Sequence, residues 1–202
     1  MGYIAVIDYG VGNLMSVTNA LQYIGRESKI TDQASDLERA DGIILPGVGA
    51  FPDAAEKLQQ TGLVATLKEQ AAKKPMLGIC LGMQLLFDWS SEVRKTDGLG
   101  FVPGQVELIE TNLKLPHIGW NSLSFPNPSP LFAGLDEGCY VYFVHSFCGS
   151  AARRENVIAT TDYGGEVLAA VQSGNVFGTQ FHPEKSGDVG MQILKNFGGL
   201  TK

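Results

Sequence analysis

The segment from Lys74 to Gln84, K-P-M-L-G-I-C-L-G-M-Q, constrains this chain more than any other. Pro75 stops the helix-like run before it, and Met76, Leu77 and Ile79 form the short apolar burst of a buried parallel strand bounded by breakers. From Leu81 onward the apolar positions Leu81, Leu85, Leu86 and Trp89 fall at helical spacing, which predicts a helix running to about Ser91. Cys80 therefore stands where a strand turns straight into a helix. Gly78 and Gly82 flank it as G-x-C-x-G, and small residues there permit the sharp turn that lifts one side chain out of the sheet, the mechanics of G-x-S-x-G. A thiol acts as thiolate, a form favoured by the exposed N–H groups of a helix N-terminus. Two readings of Cys80 stand at this point: an activated nucleophile, or one more small buried residue, which is what most free cysteines are.

The chain before this segment alternates strand and helix. Tyr3 to Ile7 reads as a buried first strand, followed by the turn Asp8-Tyr9-Gly10-Val11-Gly12-Asn13 and a helical stripe of Leu14, Val17, Leu21 and Ile24. The turn lacks a full G-x-G-x-x-G, so it is not read as a dinucleotide site. Glu27 to Ile30 and Gly42 to Leu45 are the second and third strands, with a short helix over Ser35 to Ala40 between them. Asp53 to Lys73 supplies further helix with a break at Gly62. This order predicts a parallel sheet covered on both faces, flavodoxin-like and doubly wound.

The second half is richer in strands, predicted at Gln105 to Ile109, Ile118 to Leu123, Tyr140 to Phe147 and Val157 to Thr161. Leu168 to Gln172 and Val176 to Phe181 form a hairpin across Ser173-Gly174-Asn175, and Gly187 to Phe197 closes the chain as a helix. The fold expected is thus α/β, a mostly parallel sheet with an antiparallel strand-rich addition. At 202 residues, without repeats or a Pro/Ser-rich linker, residues 1–202 are expected to form one domain.

A formal net charge of -6 argues against sequence-independent nucleic-acid or acidic-membrane binding, which needs a basic surface. Cys80, Cys139 and Cys148 are odd in number and lack metal-ligand spacing, so neither a disulfide scaffold nor a metal site is expected. The start M-G-Y-I-A-V has no basic leader and its apolar run breaks at Asp8, and no window reaches a transmembrane length. A cytoplasmic protein is the expectation.

Loops leaving the carboxyl ends of neighbouring strands line one crevice in a doubly wound sheet. Pro46-Gly47-Val48-Gly49-Ala50-Phe51 leaves the third strand on the rim expected for Cys80. The backbone N–H groups of Gly47, Val48 and Gly49 are candidates for an oxyanion hole; the alternative is an ordinary turn into a helix started by Pro52. The last hairpin strand runs into Phe181-His182-Pro183-Glu184-Lys185. Residues two apart in an extended chain face one side, so Glu184 can fix the ring of His182 while its other nitrogen faces the thiol, a nucleophile, base and orienter. His117 and His145 have no carboxylate two residues away and read as structural or ligand-contact histidines.

With these motifs in hand, the chain resembles the class I, triad-type glutamine amidotransferases. G-I-C-L-G-M-Q is similar to that family's nucleophile elbow, F-H-P-E to its His and Glu, and P-G-V-G-A-F to its oxyanion loop, in the family's order. The resemblance sharpens toward the branch of glutaminase subunits serving imidazole glycerol phosphate synthase in histidine biosynthesis. It does so through D-Y-G-V-G-N, P-G-V-G-A-F, L-P-H-I-G-W-N and H-S-F.

The resemblance implies hydrolysis of L-glutamine to glutamate and ammonia through a γ-glutamyl thioester on Cys80, with His182 as base and Glu184 as its orienter, and without a cofactor. It implies substrate or oxyanion contacts from Gly47, Val48, Gly49, Leu81, Gln84, Glu92, His145, Ser146 and Phe147. The family usually has Tyr where this chain has Phe147. The implied partner is a separate cyclase subunit, a β/α barrel that receives the ammonia in a heterodimer, with Asn13, Trp120, Asn121 and Lys185 at or near the interface. Trp120 reads equally well as a core residue. A glutaminase for a pyridoxal phosphate or anthranilate synthase, a non-catalytic binding subunit of the same fold, and a cysteine peptidase or deglycase remain as alternatives.

Overall fold

A computed structural model describes residues 2–201. The apolar bursts of the first half are β1 (Ile4–Ile7), β2 (Ser28–Thr31), β3 (Gly42–Leu45) and β4 (Met76–Ile79), joined by α1 (Leu14–Tyr23), α2 (Ala34–Arg39), α3 (Phe51–Gln60) and α4 (Val64–Ala71). After β4 come α5 (Leu81–Gln84), β5 (Phe87–Ser90), β6 (Thr96–Asp97), β7 (Val102–Leu108) and β8 (His117–Ser122). The chain continues through β9 (Tyr140–His145), β10 (Phe147–Ala151), β11 (Val157–Asp162), β12 (Glu166–Ser173) and β13 (Val176–Thr179) to α6 (Gly187–Leu200).

Strands β2, β1, β3, β4 and β13 lie side by side and parallel, and β12 and β11 extend the same sheet antiparallel beyond β13. This is the mostly parallel, doubly wound sheet with an antiparallel addition that the sequence predicts. In β1, Ala5 and Ile7 pack with Leu37, Leu58 and Leu67 on one face, while Ile4 and Val6 pack with Val17, Leu21 and Phe197 on the other. Side chains alternate along a strand, so a strand covered on both faces is apolar throughout. Each Leu or Ile fully buried in this way contributes roughly 1.5–3 kcal/mol. Four residues of sequence sufficed to reveal such a strand for that reason.

Two elements differ in kind from expectation. The helix after Cys80 does not reach Ser91: it ends at Gln84, and Phe87–Ser90 is a strand in a separate four-stranded sheet, β10-β7-β5-β6. Long-range backbone bonds override the helical spacing of Leu85, Leu86 and Trp89, since the carbonyls of Leu85 and Leu86 accept from the N–H groups of Leu99 and Phe101. The expected strand Tyr140 to Phe147 is two strands that part at Ser146, with β9 pairing to β8 and β10 to β7. The break expected at Gly62 is present: α3 and α4 are separated there, with Gly62 at φ +72°.

The turn around Cys80 is built on close backbone approach. A Cβ on Gly78 would stand 2.6 Å from the Gly82 carbonyl oxygen, and one on Gly82 only 1.8 Å from the Leu45 carbonyl oxygen at the end of β3. Neither obstacle is a flexible side chain. Gly82→Ala is therefore expected to destabilise the protein by about 3 kcal/mol. Gly199→Ala, which meets nothing within 4 Å in α6, should stabilise it by about 0.5–1 kcal/mol. Denaturant midpoints of the two variants check this, and equal midpoints would refute the close-approach account.

Candidate active site

Cys80 joins β4 to α5 with φ 55° and ψ −111°, a combination that non-glycine residues adopt only when the surrounding structure forces it. The forcing is visible in the backbone: the Cys80 N–H donates to the Thr179 carbonyl at 2.7 Å, and its own carbonyl accepts from the Gln84 N–H at 3.1 Å. One bond ties the residue to β13 and the other to α5. The thiol is 7% exposed, facing a cleft rather than bulk solvent.

The end of β13 brings the second half of the site. Its register with β4 sets Thr179 opposite Ile79, so the residues just beyond both strands meet. His182 Nδ1 donates to Glu184 Oε1 at 2.8 Å, and both side chains are almost fully buried. Nε2 has no fixed hydrogen-bond partner and faces the Cys80 thiol, with which it is electrostatically coupled. Burial disfavours a charged ring here, but the Cys80 thiol and the Glu184 carboxylate outweigh it and raise the His182 pKa to about 9. The ring's backbone is also clamped. The His182 N–H donates to the Tyr142 carbonyl at 3.1 Å, and Ser186 Oγ donates to the His182 carbonyl at 2.6 Å while accepting from the Tyr142 N–H at 3.0 Å.

Cys80 and His182 open into a cleft of about 430 Å³ whose walls also carry Val48, Gly49, Leu81, Gln84, Glu92, His145, Ser146 and Phe147. Pro116, Val144 and Lys185 complete the lining. Larger hollows of about 890 and 1040 Å³ lie beside α1 and β2 and between β7, β10 and β12, and neither contains Cys80 or His182. Gly47 sits behind the cleft wall instead of in it: a Cβ there would meet the Gly82 nitrogen at 2.7 Å and the Tyr9 hydroxyl at 2.8 Å. Its lack of a side chain lets the loop after β3 press against the turn at Cys80. Gly49 follows at φ +102°, a backbone conformation suited to glycine.

Most polar groups in the wall are already oriented. Glu92 Oε2 accepts from the Phe51 N–H at 2.8 Å, at the start of α3, where a carboxylate also complements the helix dipole. Gln84 Nε2 donates to the Phe147 carbonyl at 2.9 Å and to Gln180 Oε1 at 3.0 Å. His145 Nδ1 donates to that same carbonyl at 2.8 Å, which leaves its Nε2 to accept from His117 Nδ1 at 3.2 Å. Phe147 thus acts through its backbone, and phenylalanine supplies that as well as tyrosine would. Burial pushes the His145 pKa down to about 4, against the Phe147 bond, and the ring is neutral at neutral pH.

Gln180, Ser186 and Tyr9 were absent from the sequence expectation. Tyr9 donates to the Pro46 carbonyl at 2.7 Å and braces the loop after β3; burial and the nearby Cys80 raise its pKa. Of these, only Gln180 had a local signal, since it lies two residues before His182 in extended chain and so shares its face. The four interface candidates come from three segments of the chain. Trp120 is 55% exposed on β8, which removes the core reading, and stacks edge-on against Tyr142 at 6.1 Å. Asn121 donates to the Asp162 carbonyl at 2.8 Å, Asn13 caps α1 by accepting from the Ser16 N–H, and Lys185 borders the cleft itself.

A strained cysteine, a buried His–Glu pair facing it and a walled cleft are a set of groups that can support cysteine-dependent acyl transfer, and residues 5–199 match the family described as glutamine amidotransferase class-I. The chain belongs to that family. Several similar curated proteins are named imidazole glycerol phosphate synthase subunit HisH. The Bacillus cereus (strain G9842) protein is 52% identical over 98% of this chain and 95% of its own length, and that of Moorella thermoacetica is 50% identical over the same shares. That of Caldanaerobacter subterraneus subsp. tengcongensis is 49% identical, covering 98% of both chains. Among solved structures, a glutamine amidotransferase matches with a TM-score of 0.76 at 20% identity, over 98% of this chain and 100% of the other. PurLQS from Thermotoga maritima matches with a TM-score of 0.76 at 23% identity, over 98% and 99%. These two likenesses concern the fold.

Proposed function

We propose that this chain is the glutaminase subunit of an imidazole glycerol phosphate synthase, hydrolysing L-glutamine to glutamate and ammonia within one domain spanning residues 1–202. The observation that carries the chemistry is the buried His182–Glu184 pair facing Cys80 in the cleft. The Cys80 sulfur attacks the glutamine side-chain carbonyl, and His182 passes the thiol proton to the leaving ammonia. His182 then takes a proton from water as that water cleaves the γ-glutamyl thioester. Glu184 holds the ring in the tautomer that aims Nε2 at the reacting atoms.

Val48 and Gly49 at the wall are the candidates for holding the developing oxyanion, with Gly47 fixing the loop behind them. Gln84, Glu92, His145, Ser146 and the Phe147 backbone are the candidates for holding the α-ammonium and α-carboxylate groups of glutamine, which selection over a simple amide requires. The relatives' name supports a synthase partner. Ammonia released into water would be protonated, so the product is best passed directly to a second subunit, a cyclase barrel docking where Asn13, Trp120, Asn121 and Lys185 are candidate contacts. No described helix is long and apolar enough to cross a membrane, and we place the reaction in the cytoplasm.

The test is glutamate release from glutamine by the chain alone and with the cyclase subunit plus its nucleotide ligand. The expected result is near-silence alone and stimulation of about 100-fold or more in the loaded complex, as gating by a completed site allows. Turnover unchanged by that cyclase would keep the chemistry and assign the chain to another synthase.

A further inference from the structure

The side chain nearest the nucleophile that the chemistry above does not use is Gln180. It is fully buried just past the end of β13, and its backbone N–H is fixed by the Ala169 carbonyl at 2.8 Å. Its Oε1 accepts from Gln84 Nε2 at 3.0 Å, and its Nε2 donates to Cys80 Sγ at 3.8 Å. The orientation of this amide follows from its neighbours. Gln84 Nε2 is a donor, so the oxygen of Gln180 must face it and the NH2 group must face the sulfur. Gln84 Nε2 in turn donates to the Phe147 carbonyl, so a continuous line of hydrogen bonds runs from the nucleophile to the cleft wall.

We infer that Gln180 is a positioning residue for the reaction, its amide holding the Cys80 sulfur at one end and the Gln84 side chain at the other. This rests on the glutaminase function proposed above. A donor aimed at sulfur favours the thiolate, whereas an acceptor in the same place opposes it. The same bond restrains a side chain whose only other neighbour in the chemistry is a ring with a free Nε2. The other titratable groups around the thiol are His182 and Tyr9, with Glu92, His145 and Lys185 in the cleft wall.

Gln180→Glu separates the two ends. It keeps an acceptor for Gln84 while removing the donor to sulfur and placing a carboxylate there. In this variant, alkylation of Cys80 by iodoacetamide at pH 7, followed on the Cys80 peptide by mass spectrometry, should slow about tenfold, because the thiolate loses its donor and faces a like charge. In the complex with the cyclase, kcat should fall about tenfold or more with KM within about threefold, because the Gln84 contact survives. Gln180→Leu removes both contacts and should raise KM as well. Wild-type alkylation in Gln180→Glu overturns the inference, and so does lost turnover without slower alkylation. Should that variant not fold, Gln180→Asn, which retracts the same amide by one methylene, must still slow alkylation. A wild-type protein that alkylates at Cys80 but never releases glutamate would instead refute the glutaminase function, and the alkylation comparison would still judge Gln180.

Discussion

Replacing Cys80 by alanine or by glycine should abolish glutamine turnover, by about 10⁴-fold or more, since neither can form a thioester. The two variants should differ in stability, and in the unusual direction. Residue 80 holds φ 55° and ψ −111°, a conformation that costs an L-residue on the order of 1–3 kcal/mol and glycine almost nothing. Glycine also loses about 0.5–1 kcal/mol relative to alanine by its greater freedom when unfolded. The difference leaves Cys80→Gly more stable than Cys80→Ala by about 1 kcal/mol. Chemical denaturation of the two inactive proteins measures it without interference from the thiol, which both lack. If alanine is the more stable, the turn stores no strain at this residue. If glycine is, strain has been kept at the one position where it lifts a side chain into the cleft.

That turn was legible because its marks in the sequence are local, even though the contacts that force it reach Thr179 and Leu45. Gly78, Cys80 and Gly82 are close in sequence, and the strand before them is apolar because both sheet faces are covered. The pair His182–Glu184 was legible because two residues of sequence separate them, although Pro183–Lys185 is a 3-10 turn and not the extended chain expected, and that turn brings Glu184 to the ring. Where the chain's fate is decided at long range, the sequence misled. Leu85, Leu86 and Trp89 carry helical spacing, yet their segment pairs with residues 96–106 and becomes strand β5.

Ser146 could not be recognised as the point where one apparent strand divides between two sheets, because that depends on β7 and β8 as competing partners. Gln180 escaped for a related reason. Its significance lies in bonds to Cys80 and Gln84, about one hundred residues away, and its one local mark, a place two residues before His182, says nothing of those bonds. Trp120 was ambiguous because an aromatic in a strand suits either a core or an interface. Its exposure on β8, side by side with the strand whose Tyr142 clamps His182, is a fact of packing alone.

Of the three buried histidines, His182 on one side and His145 on the other, with His117 lowered by burial in the same direction as His145, should give the folded protein a stability maximum near pH 6.5, with opposite slopes on either side. His182 is raised from 6.5 to about 9 in the fold by Cys80 and Glu184 acting against burial. Its stabilisation is complete below the unfolded pKa and is lost as pH rises through 9, because the folded protein then must give up a proton it holds more tightly than the unfolded chain does. His145 is lowered from 6.5 to about 4, chiefly by burial. Its contribution is complete above 6.5 and is lost as pH falls toward 4, where the unfolded chain takes the proton first. A shift of this size is worth up to about 3 kcal/mol for each ring. Denaturant stability measured from pH 4 to 9.5 should therefore rise and then fall. His145→Gln should flatten the acid limb, and His182→Gln the alkaline limb. Cys80→Ala should also weaken the alkaline limb, because it removes one of the two groups that hold the proton on His182, while leaving the acid limb unchanged. An alkaline limb of the same height in Cys80→Ala would show that the thiol does not hold the His182 proton and that the two side chains titrate independently.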